Sequence, residues 1–162
     1  MHLFIPAIWI TAGVSLFSGV LFTLAGLPRQ REPAFVPFGL LCLLLSVYLI
    51  LTAEIYLLNS AATAGQVERY RIMLLCLIYP LAVWFFGEFT NLHKLKFWLI
   101  AFALVFGTFL IVNMFSIGNL LYSGFTLDNP IVLPWGETLS NVNGKSGPLV
   151  GLFYAASYAF FL

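Results

Sequence analysis

Two carboxylates, Glu54 and Glu88, lie inside long apolar runs of this chain, and two guanidinium groups, Arg69 and Arg71, open the run that Glu88 closes. An ionised side chain within a lipid-spanning segment costs about 2.5 to 3.5 kcal/mol on insertion scales, so such groups are retained for pairing, proton transfer or sensing. Arg69 and Arg71 could donate charge-assisted hydrogen bonds to an anion, and the indole of Trp135 could stack on an aromatic or cationic group. Glu54, Tyr56 and Asn59 end one apolar run, Arg69 and Arg71 precede the body of the next, and Asn113 ends a later one. Antiparallel helices bring all of these to one level, and a following loop bearing Trp135 and Glu137 would lie over them. Glu54, Tyr56, Arg69, Arg71, Asn113, Trp135 and Glu137 therefore form the candidate ligand or stimulus site, suited to a small anionic, aromatic or lipid-like molecule. At the other end of the same helices, Glu88 falls within reach of Lys94 and Lys96 and predicts an ion pair at that face. The plainer alternative is that both glutamates only pair with nearby bases at the membrane interface, where Trp and Tyr commonly rest as an aromatic belt.

Other chemistries find no residues to carry them. His2 and His93, the only histidines, fall at opposite sides of the expected bundle and could not share one haem iron. There is no Cys-x-x-Cys, no zinc-ligand spacing, no phosphate-binding glycine loop and no serine nucleophile elbow, so neither cofactor nor metal is expected. Cys42 and Cys76 sit near the starts of consecutive antiparallel helices, at different depths, which excludes a disulfide between them. A net charge of +1 without a basic stripe gives no footprint for nucleic acid.

The elements that must position these groups are membrane helices. The chain is 62% hydrophobic and only 8% charged, against roughly 25% charge in soluble domains. A spanning helix needs about 20 mainly apolar residues. Four runs qualify, at about 3–25, 36–58, 72–89 and 97–116, and a fifth over about 149–162 ends so abruptly that the chain is expected to be cut inside it. The first run lacks a positive leader and exceeds a signal peptide's usual apolar length, which makes it a permanent helix. The fold expected over 1–162 is an all-α polytopic membrane protein, a single membrane domain in which five transmembrane helices form an antiparallel bundle within the lipid bilayer. Gly13, Gly19, Gly26 and Gly107 are expected at close helix contacts, and Pro6 and Pro80 at kinks.

The connections differ in kind. Leu27 to Pro33 is short and bracketed by prolines, Asn59 to Arg71 is small and polar before turning charged, and Thr90 to Lys96 is a tight turn. The segment from about 117 to 147 is too long for a simple link. Its apolar residues argue against disorder, while Asp128-Asn129-Pro130, Pro134, Gly136 and Asn143-Gly144 break it into strand-length pieces. It is expected to be a small ordered extracytoplasmic cap, for which a β-hairpin is one arrangement. Basic residues Arg29, Arg31, Lys94 and Lys96 on one side outnumber Arg69, Arg71 and Lys145 on the other by one. That bias favours the N-terminus and the long loop outside.

Three stretches carry a resemblance: Trp84-Phe85-Phe86-Gly87-Glu88-Phe89-Thr90, the run from Asn113 to Ser123, and Leu133-Pro134-Trp135-Gly136-Glu137-Thr138 ahead of a glycine-rich entry to the fifth helix. They resemble the N-terminal multi-pass sensor region of bacterial membrane histidine kinases and diguanylate cyclases. The resemblance implies an inner-membrane input domain that detects a stimulus and passes it to cytoplasmic signalling modules, as a homodimer through the full-length protein. It implies no catalysis in this chain, which has no phosphorylatable histidine motif, nucleotide-binding glycine box or cyclase signature. The competing class is a small accessory subunit of a respiratory or transport complex. A transporter is disfavoured because no inverted repeat or pair of broken helices is present.

Overall fold

The computed structural model describes residues 3–27, 32–58, 60–116 and 119–159. Within them the chain forms α1 (Phe4–Gly26), α2 (Phe35–Leu57), α3 (Ala61–Phe89), α4 (Leu95–Phe115), the strands β1 (Tyr122–Val132) and β2 (Thr138–Ser146), and α5 (Val150–Tyr158). The first four helices are long and apolar enough to cross a membrane. His2, Arg29, Arg31 and Asn59 lie outside the described residues.

The main departure from the sequence expectation is α3. It begins at Ala61, so residues read as a connection up to Arg71 are its first turns, and the link from α2 is only a few residues long. Ala61, Ala62 and Ala64 are strong helix formers, and Glu68 pairs with Arg71 at i,i+3 on the helix surface. Its 29 residues extend about 43 Å, more than the roughly 30 Å of bilayer hydrocarbon. Gln66, Glu68, Arg69 and Arg71 all fall in the early part, which therefore stands at or beyond the membrane surface, with the apolar span following.

Two modes of packing hold the helices. Between α1 and α2 the contact is made by small residues at a spacing of seven: Ala12, Gly19 and Gly26 on α1, and Gly39, Ser46 and Ala53 on α2, all buried. A seven-residue repeat keeps one seam facing the partner along both helices, and small side chains let the backbones approach where lipid gives no hydrophobic drive. A Cβ on Gly39 would lie 2.5 Å from the Thr23 backbone nitrogen, and one on Gly19 would lie 2.9 Å from that of Leu43. Gly13 and Gly107, expected at close contacts, have nothing within 4 Å of a Cβ and are not packing positions. Between α3, α4 and α5 the core is aromatic instead. Phe106, fully buried, stacks on Tyr79 at 4.7 Å and meets Phe153 edge-on at 5.7 Å. Cys42 and Cys76 are both free thiols, the latter buried in this second core.

The turn from α3 to α4 closes with the amide of Leu92 donating to the Gly87 carbonyl and that of Asn91 to Glu88. This is the paired bonding of a Schellman ending, and it places Asn91 at φ 51 in the left-handed region. At the opposite end β1 and β2 form one antiparallel hairpin. Asp128-Asn129-Pro130 does not end a strand as expected. The register shifts between Asp128 and Ile131, and a bulge is where a strand tolerates a proline that cannot donate.

Candidate functional site at the hairpin mouth

The tip of the hairpin is a compact turn. The Gly136 amide donates to the Leu133 carbonyl and the Leu133 amide to the Glu137 carbonyl, each at 2.8 Å. Pro134 fits the second turn position, and Gly136 takes φ +84, a left-handed conformation that glycine adopts without strain. The turn delivers Glu137 to the start of α1. There a single carboxylate oxygen, Oε2, accepts hydrogen bonds from the backbone amides of Leu3 and Phe4 and from the Trp135 indole, all at 2.9 Å. Leu3 itself offers no side-chain cap, so a residue 134 positions away in sequence satisfies amides that a helix start otherwise leaves open. The Trp135 bond, the Phe4 amide and further backbone donors hold the Glu137 carboxyl down at about 2, from an ordinary 4.5.

The sign of that shift fixes a pH window. Because the folded protein prefers the charged carboxylate, its contribution is complete above the ordinary value and is lost as pH falls through about 2. The amide resonances of Leu3 and Phe4 are therefore expected to titrate with a midpoint well below 4.5 in micelles. Titration at the ordinary carboxylate value would contradict the anchor.

The base of the hairpin is tied to α4. Asn113, wholly buried, accepts the Leu120 amide at its Oδ1 (3.2 Å) and donates from Nδ2 to the Arg69 carbonyl (3.1 Å). Arg69 returns the contact, with Nε and Nη2 donating to the Asn113 carbonyl at 3.0 and 2.7 Å and Nη2 also reaching the Met114 carbonyl. These carbonyls close the last turn of α4, where acceptors go unsatisfied and cations are favoured. The Gly147 amide donates to the Leu121 carbonyl at 2.7 Å, closing the hairpin stem before α5. Along its length β1 lies on α3 and β2 on α2, with the Phe125 ring 3.0 Å from where a Cβ on Gly65 would stand. Tyr122 stands beside Tyr154 of α5 and packs on the aromatic core, and burial first and the neighbouring Tyr154 hydroxyl second raise Tyr122 to about 12. The hairpin is thus a strap across the mouth, from α4 and α5 at its stem to α1 at its tip.

The seven expected residues do not converge on one ligand position. Trp135 and Glu137 meet, and Arg69 and Asn113 meet, but as separate ties. Arg71 turns to a third: Nη1 bonds Glu68 at 2.6 Å, Nη2 donates to the Tyr48 hydroxyl at 2.7 Å, and the guanidinium carbon lies 4.8 Å from the centre of the Tyr48 ring. With both arginines so engaged, Glu54 stays half-buried in α2 with no hydrogen bond or ion pair among the described residues. Tyr56 packs edge-on against Phe4 at 5.3 Å. At the far end, the expected pairing of Glu88 with Lys94 or Lys96 is absent among the described residues. Glu88 instead accepts from the Trp84 indole one turn earlier, at 3.3 Å.

Sequence reasoning missed Glu68 and Tyr48, although the i,i+3 spacing of Glu68 and Arg71 was a usable signal. It also missed the groove between α3 and β1, of about 510 Å³, whose lining includes Gly65, Gln66, Arg69 and Asn119. A smaller cavity of about 170 Å³ lies beside it, against Glu68 and Arg71. No group of three or more His, Cys, Asp or Glu able to hold a metal occurs among the described residues. Comparison of the chain with protein-family models, with curated proteins and with solved structures gives no match.

Proposed function

We propose that this chain is the membrane-embedded signal-input domain of a larger bacterial receptor, set in the inner membrane with its N-terminus and hairpin outside. A stimulus displaces the hairpin, the helices repack, and cytoplasmic signalling modules absent from this chain read the change. The observation that carries this reading is that the strap touches every helix: α1 through Glu137, α2 and α3 through the strands, α4 through Asn113, and α5 through Tyr122 packed on the core that holds Phe153. A cap held this way moves only with the helix ends, which is what coupling a surface event to two alternative packings requires. The basic-residue bias supports the orientation, the more so because Arg69 and Arg71 are engaged within the protein. The resemblance to histidine-kinase and cyclase sensor regions supports the downstream modules and a homodimer through the full-length protein.

The test is made in the product of the whole gene, with kinase or cyclase output as the readout. Glu137→Gln and Trp135→Phe are each expected to change basal output by about fivefold or more, the lower range of a typical coupling energy. Unchanged output in both at normal expression, or a reading frame that stops at Leu162, would overturn the reading in favour of an accessory subunit.

A further inference from the structure

The groove between the first turns of α3 and the start of β1 has an uneven distribution of polar groups. Its wall carries the Arg69 guanidinium, whose Nε and Nη2 are taken by α4 carbonyls while Nη1 has no partner among the described residues. It also carries Asn119, whose Oδ1 accepts the Leu121 amide at 3.0 Å while its Nδ2, buried, has no acceptor among the described residues. The exposed Gln66 amide lies on the same wall, and no carboxylate among the described residues lines the groove. Glu68, the nearest in sequence, faces the neighbouring cavity and is bound to Arg71. Ser60 gives the start of α3 no side-chain cap, and the positive end of that helix adds to the same wall beside Ala61 and Ala62. Tyr122 and Phe125 supply an aromatic floor.

A buried donor without an acceptor, a cation with a spare edge and no negative group describe a site for an anion. We propose that this groove binds an anionic head, a phosphate or carboxylate, with the attached apolar part lying over Phe125. Two sources offer that chemistry: the headgroup of an anionic lipid in the surrounding leaflet, or a soluble anion. The inference rests on the sensory reading, because occupancy would bridge α3 to β1 and so hold the strap. Binding is nevertheless measured without any signalling readout, so the two can fail separately.

The test uses the full chain in nanodiscs and follows thermal unfolding by the exposure of Cys42 and Cys76 to a thiol-reactive dye. In phosphatidylcholine discs, inorganic phosphate is compared with chloride at equal ionic strength; separately, phosphatidylcholine discs are compared with discs containing phosphatidylglycerol. Stabilisation by phosphate assigns a soluble anion, and stabilisation by phosphatidylglycerol alone assigns a lipid headgroup. Two variants check the place. Asn119→Asp keeps the acceptor for Leu121 but puts a negative oxygen where Nδ2 was, and Gln66→Glu adds a charge at an exposed position that folding tolerates. Each is expected to weaken anion binding about tenfold, equivalent to about 1.4 kcal/mol. Absence of stabilisation by either anion, or equal stabilisation of both variants and the parent, would overturn the proposal.

Discussion

Gly39→Leu is expected to separate α1 from α2 and to lower the unfolding temperature by about 5 °C or more. A leucine there must place its Cβ against the backbone of α1, at 2.5 Å from the Thr23 nitrogen and 2.9 Å from the Gly19 carbonyl oxygen. Neither atom belongs to a side chain that could swing away, so the helices must part. Overpacking a closed contact costs about 1 to 3 kcal/mol, which at a few degrees per kcal/mol gives the stated fall. Parting the helices also loosens the other buried small residues of the seam, Ser46 and Ala53 on one side and Ala12 on the other. Gly13→Leu is the control: with nothing within 4 Å of its Cβ, it is expected to leave the unfolding temperature nearly unchanged. Thermal unfolding in micelles, followed by reaction of the two free thiols, reads both variants. Equal effects at Gly39 and Gly13 would show that the seam lies elsewhere.

Asn113→Leu is expected to cost about 2 kcal/mol through the loss of one buried hydrogen-bonding side chain. Asn113 lies where three elements meet: its amide joins the Arg69 carbonyl of α3 and the Leu120 amide leading into β1, from a position in the last turns of α4. Leucine has similar bulk but can do neither, so the buried Leu120 amide is left without an acceptor, and the desolvation cost of that group is felt in full. The stem of the strap should then loosen before the helices do. Amide hydrogen exchange distinguishes the outcomes: protection lost at Leu120 and Leu121 and retained at Phe102 to Phe109 is the expected pattern. Full protection at Leu120 would show that Asn113 is not the tie.

Much of this fold is written in the sequence in terms that simple physics can read. Four apolar runs became four helices because a run of about 20 apolar residues satisfies every backbone group within its own segment only as a helix, and their ends agree with the expected bounds except at α3. There the error came from treating polarity as a break. Gln66 to Arg71 are polar because the helix leaves the apolar layer, not because it stops, and the alanines ahead of them carried the helical signal. The separation of close-packing glycines from idle ones was legible too, in the seven-residue spacing of Ala12, Gly19 and Gly26, but only beside the matching spacing of Gly39, Ser46 and Ala53. Leu133-Pro134-Trp135-Gly136-Glu137 stood out as a motif and has a structural logic: proline and glycine build the turn, and the glutamate grips the start of α1. Its partner could not be deduced, since a bond across 134 residues leaves no local trace. For the same reason the ties of Arg69 and Arg71 were mistaken for open valences. Their charges mark a level in the membrane, whereas carbonyls at the end of α4 and the Tyr48 hydroxyl do not announce themselves as polar in a hydropathy pattern; of their acceptors only Glu68 does.

The strap and the helix packing are expected to move together. Distances between spin labels report this motion, in a chain freed of its own thiols by Cys42→Ala and Cys76→Ala. One pair, at Leu57 and Asn129, follows the strap; another, at Leu27 and Lys96, spans α1 and α4 at the end of the bundle remote from it. Releasing the tip by Glu137→Gln is expected to change the first distance and to shift the second by about 1 to 2 Å, the scale of helix movements that carry such signals. A strap that moves while the distance from Leu27 to Lys96 stays fixed would show that the two are uncoupled.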